Sequence, residues 1–164
     1  MTRTNPSDTS SNRGAFHHID LSVSDVAAAR CVYAPVLEFL GYSLVKDELD
    51  GCEWDMRGHE PFGASLGIRA AASGGAHDRY APGLHHLAWR AASREEVDRL
   101  HDLLVANDIT VLDAPAHYPQ YSGDYYAVFF ADPDGMKLEL VHAPGWVRRP
   151  AGASRRTMRC APRR

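Results

Sequence analysis

Residues 125–142 read YYAVFFADPDGMKLELVH, two apolar runs separated by Asp132-Pro133-Asp134-Gly135. Asp, Pro and Gly are typical turn residues, because proline presets φ, glycine tolerates a positive φ and aspartate hydrogen-bonds to nearby backbone. The flanking runs are rich in aromatic and apolar residues, and strands favour such composition. The stretch therefore predicts two strands, residues 125–131 and 136–142, joined by a tight turn.

A strand and a helix precede this stretch in the same half of the chain. Apolar and polar residues alternate over residues 84–90, which predicts a strand. Residues 93–106 follow a helical pattern that opens with the capping box Ser93-x-x-Glu96. A loop rich in alanine, glycine and serine, residues 70–82, separates this half from an earlier one.

The earlier half follows the same order of elements. Residues 16–23 predict a strand, and Asp25 caps a helix from Val26 to about Leu40, which Gly41 ends. Pro35 lies inside this helix and is expected to kink or split it. Three short strands follow, with Asp50-Gly51 as the hairpin turn between the first two, at residues 42–46, 52–56 and 63–69.

The two halves share one register. His86 lies 68 positions after His18 (86 − 18), and Ser93 lies 68 positions after Asp25 (93 − 25). One offset that aligns both the histidines and the helix caps indicates an internal repeat. The sequence therefore predicts an α+β domain over residues 15–143, made of two tandem βαβββ modules at about residues 15–70 and 83–143.

Composition argues against several classes of protein. No run approaches the roughly 18 apolar residues of a membrane span, and residues 1–14 lack the apolar region of a secretory signal. The cysteines, Cys31, Cys52 and Cys160, are odd in number and lack CxxC spacing, which argues against a disulfide framework or a thiolate zinc site. We therefore expect a cytoplasmic protein with no membrane partner and a disordered segment at residues 1–14.

Charge is distributed unevenly along the chain. Seven of the 18 Lys and Arg residues and none of the 21 acids lie in residues 148–164, so residues 1–147 carry 11 − 21 = −10. A basic segment that contains Pro and Gly and lacks apolar periodicity predicts a disordered tail, residues 144–164. An acidic body does not suit a nucleic-acid reader, so no nucleic-acid partner is expected.

Three residues are candidates for a metal site. By strand alternation His18, His86 and Glu139 point away from the apolar, helix-facing side of their strands, whereas His17 and His85 point toward it. Two imidazoles and one carboxylate suit one divalent ion, Fe, Zn, Ni, Co or Mn, and leave positions open for water or substrate. A single histidine is more often an ordinary hydrogen-bonded residue, so the prediction depends on the three occupying equivalent strand positions.

The sequence resembles the vicinal oxygen chelate superfamily, which includes glyoxalase I, extradiol dioxygenases, and the bleomycin- and fosfomycin-resistance proteins. The resemblance covers residues 16–143 and is carried by HHIDLSVSDV, GLHHLAW and above all the DPDG-x-x-x-E pattern in the last stretch. It implies two βαβββ modules whose mostly antiparallel strands form a cup around one divalent metal, with the helices outside. Carried over, the metal ligands fall on His18, His86 and Glu139, and a homodimer is expected.

Two branches of the superfamily fit less well. Glyoxalase I enzymes take a fourth ligand from the strand at residues 63–68, which here contains no Glu, Gln or His. Extradiol dioxygenases carry a tyrosine before the turn and a histidine further upstream, where this sequence has Phe129 and Gln120-Tyr121. Tyr118 or Tyr126 could substitute as an acid-base group in the second case. The catalytic residues therefore stay unassigned.

Further polar side chains are expected around the cup. Asp20, Arg90 and Lys137 share the ligand face by alternation, and Arg90 could bind a substrate carboxylate or phosphate. Tyr118 and Tyr126 lie in or beside the loop that precedes the last two strands. We predict that the substrate-binding residues are Asp20, Arg90, Tyr118 and Tyr126.

These features favour a metal-dependent enzyme that acts on a small molecule whose adjacent oxygens chelate the metal, through lyase, isomerase or dioxygenase chemistry. The resemblance does not choose among these reactions, because one fold supports many. The alternative is a non-catalytic protein that sequesters a drug or metabolite, as bleomycin-resistance proteins do without the metal triad. A weaker alternative is a structural or regulatory partner with vestigial ligands.

Overall fold

The computed structural model describes residues 16–56, 64–75 and 77–145. The first module contains β1 (His18–Val23), α1 (Val26–Phe39), β2 (Tyr42–Glu48), β3 (Gly51–Met56) and β4 (Ser65–Ala70). The second contains β5 (Leu87–Arg90), α2 (Arg94–Ala106), β6 (Val111–His117), β7 (Tyr126–Ala131) and β8 (Lys137–His142). The predicted α+β fold of two βαβββ modules is confirmed.

Each module forms its own four-stranded sheet, with the strand orders β1-β4-β3-β2 and β5-β8-β7-β6. In both sheets the first strand of the module pairs in parallel with the last, and the remaining pairs are antiparallel. A parallel pair needs a long crossover between its strands, which the helix and the following hairpin supply. The common topology agrees with the repeat that the sequence predicts.

Both helices begin at the predicted caps. The Asp25 side chain accepts a hydrogen bond from the backbone N–H of Ala28 at 3.0 Å, and Ser93 Oγ accepts from the N–H of Glu96 at 3.3 Å. The Glu96 carboxylate accepts from the N–H of Ala92, one residue earlier than a standard capping box requires. Helix α1 continues through Pro35 without a break, so the split suggested for this position does not occur.

The core lies between the helices and the two sheets and is continuous from one module to the other. Burial of each large apolar side chain contributes roughly 1.5–3 kcal/mol relative to exposure. The largest fully buried apolar side chains come from both modules and include Tyr33, Leu37, Trp54, Ile68, Leu100, Leu104, Phe130, Leu138 and Leu140.

The turn before β8 also joins the modules through polar contacts. The Tyr33 hydroxyl, on α1, donates to Asp132 Oδ2 at 2.8 Å, and the N–H of Ser24 donates to Asp134 Oδ2 at 2.8 Å. The other Asp132 oxygen accepts from the N–H groups of Asp134 and Met136, which stabilises the turn itself. The Asp-Pro-Asp-Gly sequence therefore reverses the chain and connects the second module to the first.

Some element boundaries differ from those predicted. Glu48 pairs with Gly51, so Gly51 belongs to β3 and the β2–β3 turn consists of residues 49–50. Strand β5 begins at Leu87, which pairs with Leu138 of β8, rather than at residue 84. Within the described ranges no helix is long and apolar enough to cross a membrane. The disorder predicted for residues 1–14 and for the tail beyond residue 145 falls outside the described residues.

Candidate metal centre

Two of the three predicted ligands meet on the second sheet. Strands β5 and β8 pair so that Ala88 lies opposite Glu139, which places His86 and Glu139 on one face of the sheet. The His86 Nε2 atom lies 3.5 Å from Glu139 Oε2. This separation is longer than a normal N–H···O hydrogen bond. Glu139 Oε2 and His86 Nε2 therefore face each other without a strong direct hydrogen bond.

The Glu139 carboxylate is almost completely buried, with 1% of the residue exposed. The Tyr125 hydroxyl donates to Glu139 Oε1 at 2.5 Å, so the carboxylate is anchored through one oxygen. Burial raises the pKa of Glu139, and the Tyr125 hydrogen bond and the Lys137 charge partly oppose this effect. A buried carboxylate is unfavourable unless it is hydrogen-bonded or paired with a cation. The second carboxylate oxygen, Glu139 Oε2, lies beside His86 Nε2. These two atoms together are a suitable donor pair for a metal ion.

The surroundings of His86 favour the neutral form of its imidazole. Burial lowers the pKa of its imidazole, and the nearby Lys137 charge acts in the same direction. A neutral imidazole can present a nitrogen lone pair to a metal, whereas the protonated form has none available. The chemistry of the donor set therefore fits a divalent ion of the borderline class.

Aromatic side chains surround these donors. A second, smaller apolar cluster covers the face of the sheet that carries Glu139, with Tyr125, Ala127 and Phe129 at its centre and Tyr118 packed against it. The Tyr118 and Phe129 rings meet edge to face at 5.2 Å. The Lys137 Nζ atom lies 3.6 Å from the centre of the Phe129 ring. The donor pair is therefore screened from solvent on the side of β7.

His18 lies on the other sheet. It is exposed at the start of β1, where its backbone pairs with Ser65. Within residues 16–56, 64–75 and 77–145, no three His, Cys, Asp or Glu side chains of one chain are arranged to hold a metal ion. The fold of a single chain thus brings His86 and Glu139 together and does not add His18 to them.

The neighbouring histidines are placed differently from the expectation. His17 and His85 were expected on the helix-facing side, but both are exposed. His17 Nδ1 lies 3.1 Å from His18 Nδ1, and His85 Nδ1 lies 2.8 Å from His86 Nδ1. Alternation does not predict the exposure of His85, because residues 84–86 precede β5 and are not part of the strand. The two modules nevertheless repeat the same histidine contact.

The four predicted substrate-binding residues are distributed over three regions. Asp20 is exposed on β1, 3.8 Å from Arg69, and Tyr118 belongs to the aromatic cluster beside Glu139. Tyr126 lies on the opposite face of β7, where its hydroxyl donates to Asp98 of α2 at 2.8 Å. The alternation of β7 turns Tyr125 rather than Tyr126 toward Glu139, and the substrate-binding role of Tyr126 stays a prediction.

Arg90 lines a cavity next to the donor pair. The cavity has a volume of about 300 Å³ and is open to solvent on one side. Its lining combines His86 and Arg90 with small, apolar and aromatic residues. The lining residues are His86, Ala88, Trp89, Arg90, Tyr125, Val141 and Ala143.

Comparison with known proteins agrees with this architecture. Residues 15–140 match the family described as the Glyoxalase/Bleomycin resistance protein/Dioxygenase superfamily. The chain belongs to this superfamily. The match spans both modules, including the segment 57–63 that joins β3 to β4.

Individual members of the superfamily show similar coverage. An uncharacterized protein, YqjT of Bacillus subtilis (strain 168), is 35% identical over 135 residues, which are 77% of this chain and 97% of that protein. A candidate glyoxalase from Bacillus halodurans has a TM-score of 0.67 at 26% identity and covers 81% of this chain and 98% of its own. A glyoxalase-related enzyme from Fulvimarina pelagi has a TM-score of 0.60 at 25% identity, over 85% and 94% of the two chains. These similarities establish membership of the superfamily and leave the reaction open.

Sequence reasoning missed Tyr125 as a member of the site. The sequence did contain a signal for it. Tyr125, Ala127 and Phe129 alternate with the helix-facing residues of β7, so they share the opposite face. The missing information was the β7–β8 register, which places Phe129 opposite Glu139. In this superfamily member the tyrosine that contacts the carboxylate therefore comes from the residue immediately before β7.

Proposed function

We propose that this superfamily member is a divalent-metal-dependent enzyme acting on a small molecule whose adjacent oxygens chelate the metal. The observation that carries the proposal is the buried Glu139 carboxylate, whose Oε2 lies 3.5 Å from His86 Nε2. His86, Glu139 and a third ligand, His18, would hold the ion. When bound, a divalent ion supplies Lewis-acid stabilisation of negative charge that develops on the substrate.

Several residues of the chain would assist this chemistry. Tyr125 fixes Glu139 through its hydroxyl and carries a proton next to the substrate cavity. Burial raises the pKa of Tyr125, and the Glu139 carboxylate acts in the same direction, so its hydroxyl stays protonated near neutral pH. Tyr118 and Phe129 exclude water from one side of Glu139. An environment that excludes water strengthens electrostatic stabilisation.

In this proposal the third ligand comes from a second copy of the chain. His18 lies on the first sheet and is not grouped with His86 and Glu139 within the described part of one chain. We therefore propose a homodimer in which His18 of one copy completes the pair formed by His86 and Glu139 of the other. A symmetric dimer would contain two such sites, because a twofold axis makes the contact reciprocal.

Elemental analysis of the purified protein tests the metal site. We expect about one equivalent of a divalent metal per chain after reconstitution, and its loss in Glu139→Gln and His86→Ala. Glu38→Gln and His101→Ala, on the two helices, serve as matched controls and should retain the metal. Retention of metal by Glu139→Gln and His86→Ala, with circular dichroism unchanged, would falsify the proposed site.

Mixing two inactive variants tests the shared site. His18→Ala and Glu139→Gln should each lack metal as homodimers. After the two are unfolded together and refolded, mixed dimers should contain one intact site, because one copy supplies His18 and the other supplies both His86 and Glu139. A site within one chain would stay empty in every mixed dimer, so failure to recover metal contradicts the shared arrangement.

The second candidate function is ligand sequestration without catalysis. It is favoured by the incomplete ligand set of the single chain, where the described residues contain no group of three metal-binding side chains. The cavity beside Arg90 would then hold the ligand directly. Absence of metal after reconstitution with iron, zinc, nickel, cobalt and manganese would make this function the leading one.

A further inference from the structure

We infer that the site takes a small dianionic organic acid, whose chelating end lies at His86 and Glu139 and whose distal carboxylate binds Arg90. This inference rests on the proposed metal site and adds the class of substrate. It is drawn from the order of side chains along β5 and β8, from the ion pairs elsewhere in the chain, and from the size of the cavity.

The order of side chains along β5 places Arg90 at a distance from Glu139, so the two ends of the ligand would bind at separate points. Ala88 pairs with Glu139 and Arg90 pairs with Val141, so Arg90 lies two residues beyond the level of the carboxylate on the same face. Two strand residues correspond to about 7 Å. A chain of a few carbon atoms spans this distance, and the flexible Arg90 side chain shortens it further.

The charges at the site favour an anion. Arg30, Lys46 and Arg69 form ion pairs with carboxylates on the first module. Among the residues that the structure describes, Arg90 and Lys137 have no carboxylate within 4.0 Å, as is also true of Arg79, Arg94 and Arg99, but Arg90 is the arginine that lines the cavity. An unpaired cation in a chain whose residues 1–147 carry a net charge of −10 provides a local attraction for negatively charged ligands.

The cavity matches a short ligand. His86, Ala88 and Arg90 line the cavity, and Val141 and Ala143 contribute apolar surface from β8 and the residue beyond it. Glu139 is not among the lining residues, so the ligand would reach it beside His86, whose Nε2 lies 3.5 Å from Glu139 Oε2. The volume of about 300 Å³ is at the lower end for small-molecule sites. Two charged ends and a short apolar middle therefore describe the ligand that fits.

Calorimetric titration with two matched acids tests the inference. The probes are 2-oxoglutarate and 2-oxopentanoate, which share the chelating 2-oxo acid and differ in a terminal carboxylate or methyl group. We expect the manganese-loaded protein to bind 2-oxoglutarate about tenfold or more tightly than 2-oxopentanoate. In Arg90→Gln this preference should fall to near unity, with binding of 2-oxopentanoate unchanged.

Control variants define the outcome. Arg99→Gln, on the exposed side of α2, should keep the preference, and Ala88→Leu should weaken both acids by filling the cavity. The inference is overturned if wild type binds the two acids equally, if it binds neither, or if Arg90→Gln keeps the preference.

A metal-free titration separates failure of this inference from failure of the proposed function. If manganese itself does not bind, the proposed function fails, and 2-oxoglutarate is then titrated into the metal-free protein while the Arg90 Nε–H resonance is followed by NMR. A saturable shift of that resonance, absent with 2-oxopentanoate, supports the distal carboxylate site. No shift overturns it.

Discussion

Tyr125 and Glu139 are joined by a hydrogen bond of 2.5 Å between the tyrosine hydroxyl and Oε1. The two residues lie on adjacent strands or their extensions, and the bond turns the second carboxylate oxygen toward His86. A ligand whose orientation is fixed before the metal arrives loses little freedom on binding, and outer hydrogen bonds of this kind tune metal affinity. If Glu139 is a metal ligand, as proposed, Tyr125 acts as its positioning residue.

Tyr125→Phe should weaken metal binding by roughly 10- to 100-fold, because Glu139 loses the bond that fixes its orientation. Manganese titration followed by electron paramagnetic resonance measures this change directly. The matched control is Tyr126→Phe, which removes only the contact with Asp98 on the helix-facing side. Equal metal affinity in the Tyr125 variant and wild type would show that Glu139 does not depend on this bond.

Glycine substitutions should separate two kinds of crowding on the first sheet. A Cβ at Gly51 would lie 2.5 Å from the backbone oxygen of Ile68, whereas a Cβ at Gly67 would meet the mobile carboxylate of Asp20. We expect Gly51→Ala to lower the free energy of unfolding by about 1–3 kcal/mol, since backbone must shift. Gly67→Ala should cost less, because the half-exposed Asp20 side chain can move away.

Urea denaturation of both variants and of Gly123→Ala, where a Cβ meets nothing within 4 Å, provides the measurement. The Gly123 variant should stay within about 0.5 kcal/mol of wild type. A Gly67→Ala variant that is less stable than Gly51→Ala would contradict the distinction between rigid backbone and a mobile side chain.

The Tyr33–Asp132 contact predicts a pH-dependent contribution to stability. Burial raises the pKa of Asp132, Asp134 acts in the same direction, and the hydrogen bonds from Tyr33 and the turn oppose it. A raised pKa means that the folded state favours the neutral acid, so this contribution is present below about pH 4 and is lost as pH rises through the folded-state pKa. Ionised Asp132 is therefore less favourable in the fold than in the unfolded chain.

Asp132→Asn should remove this dependence. The amide oxygen can still accept from the N–H groups of Asp134 and Met136, and the amide N–H can donate to the Tyr33 hydroxyl. Relative to wild type, the variant should gain stability between about pH 4 and pH 7. Urea denaturation over this range measures the difference, and a difference that does not change with pH would exclude Asp132 as its source.

The fold could be predicted further than the site. The helix caps, the tandem modules and the turn at residues 132–135 depend on local chemistry that the sequence displays directly. The limits of β5 could not be predicted, because they depend on its pairing with the distant strand β8. Register between strands that are far apart in the sequence decides such boundaries, and alternation carries no information about it.

The candidate site, like the fold, could be predicted from the sequence only in part. Alternation predicted that His86 and Glu139 share a face, and their side chains lie 3.5 Å apart, although His86 stands just before β5. It did not show that the Tyr125 hydroxyl contacts Glu139 while the Tyr126 hydroxyl contacts Asp98, because this depends on the position of the strand relative to α2 and β8. His18 could not be related to the other two ligands from one chain, because its sheet is not bonded to theirs.

The hydrogen bonds from Tyr33 to Asp132 and from Ser24 to Asp134 have a consequence for the stability of each module on its own. The first module supplies the Tyr33 hydroxyl and the Ser24 N–H, which donate to carboxylates of the second module. The two modules also bury one continuous core, so each depends on the other. A chain cut within residues 71–86 should therefore yield two fragments that are poorly folded apart and recover structure when mixed. The two modules share one topology, yet their contacts with each other are not equivalent.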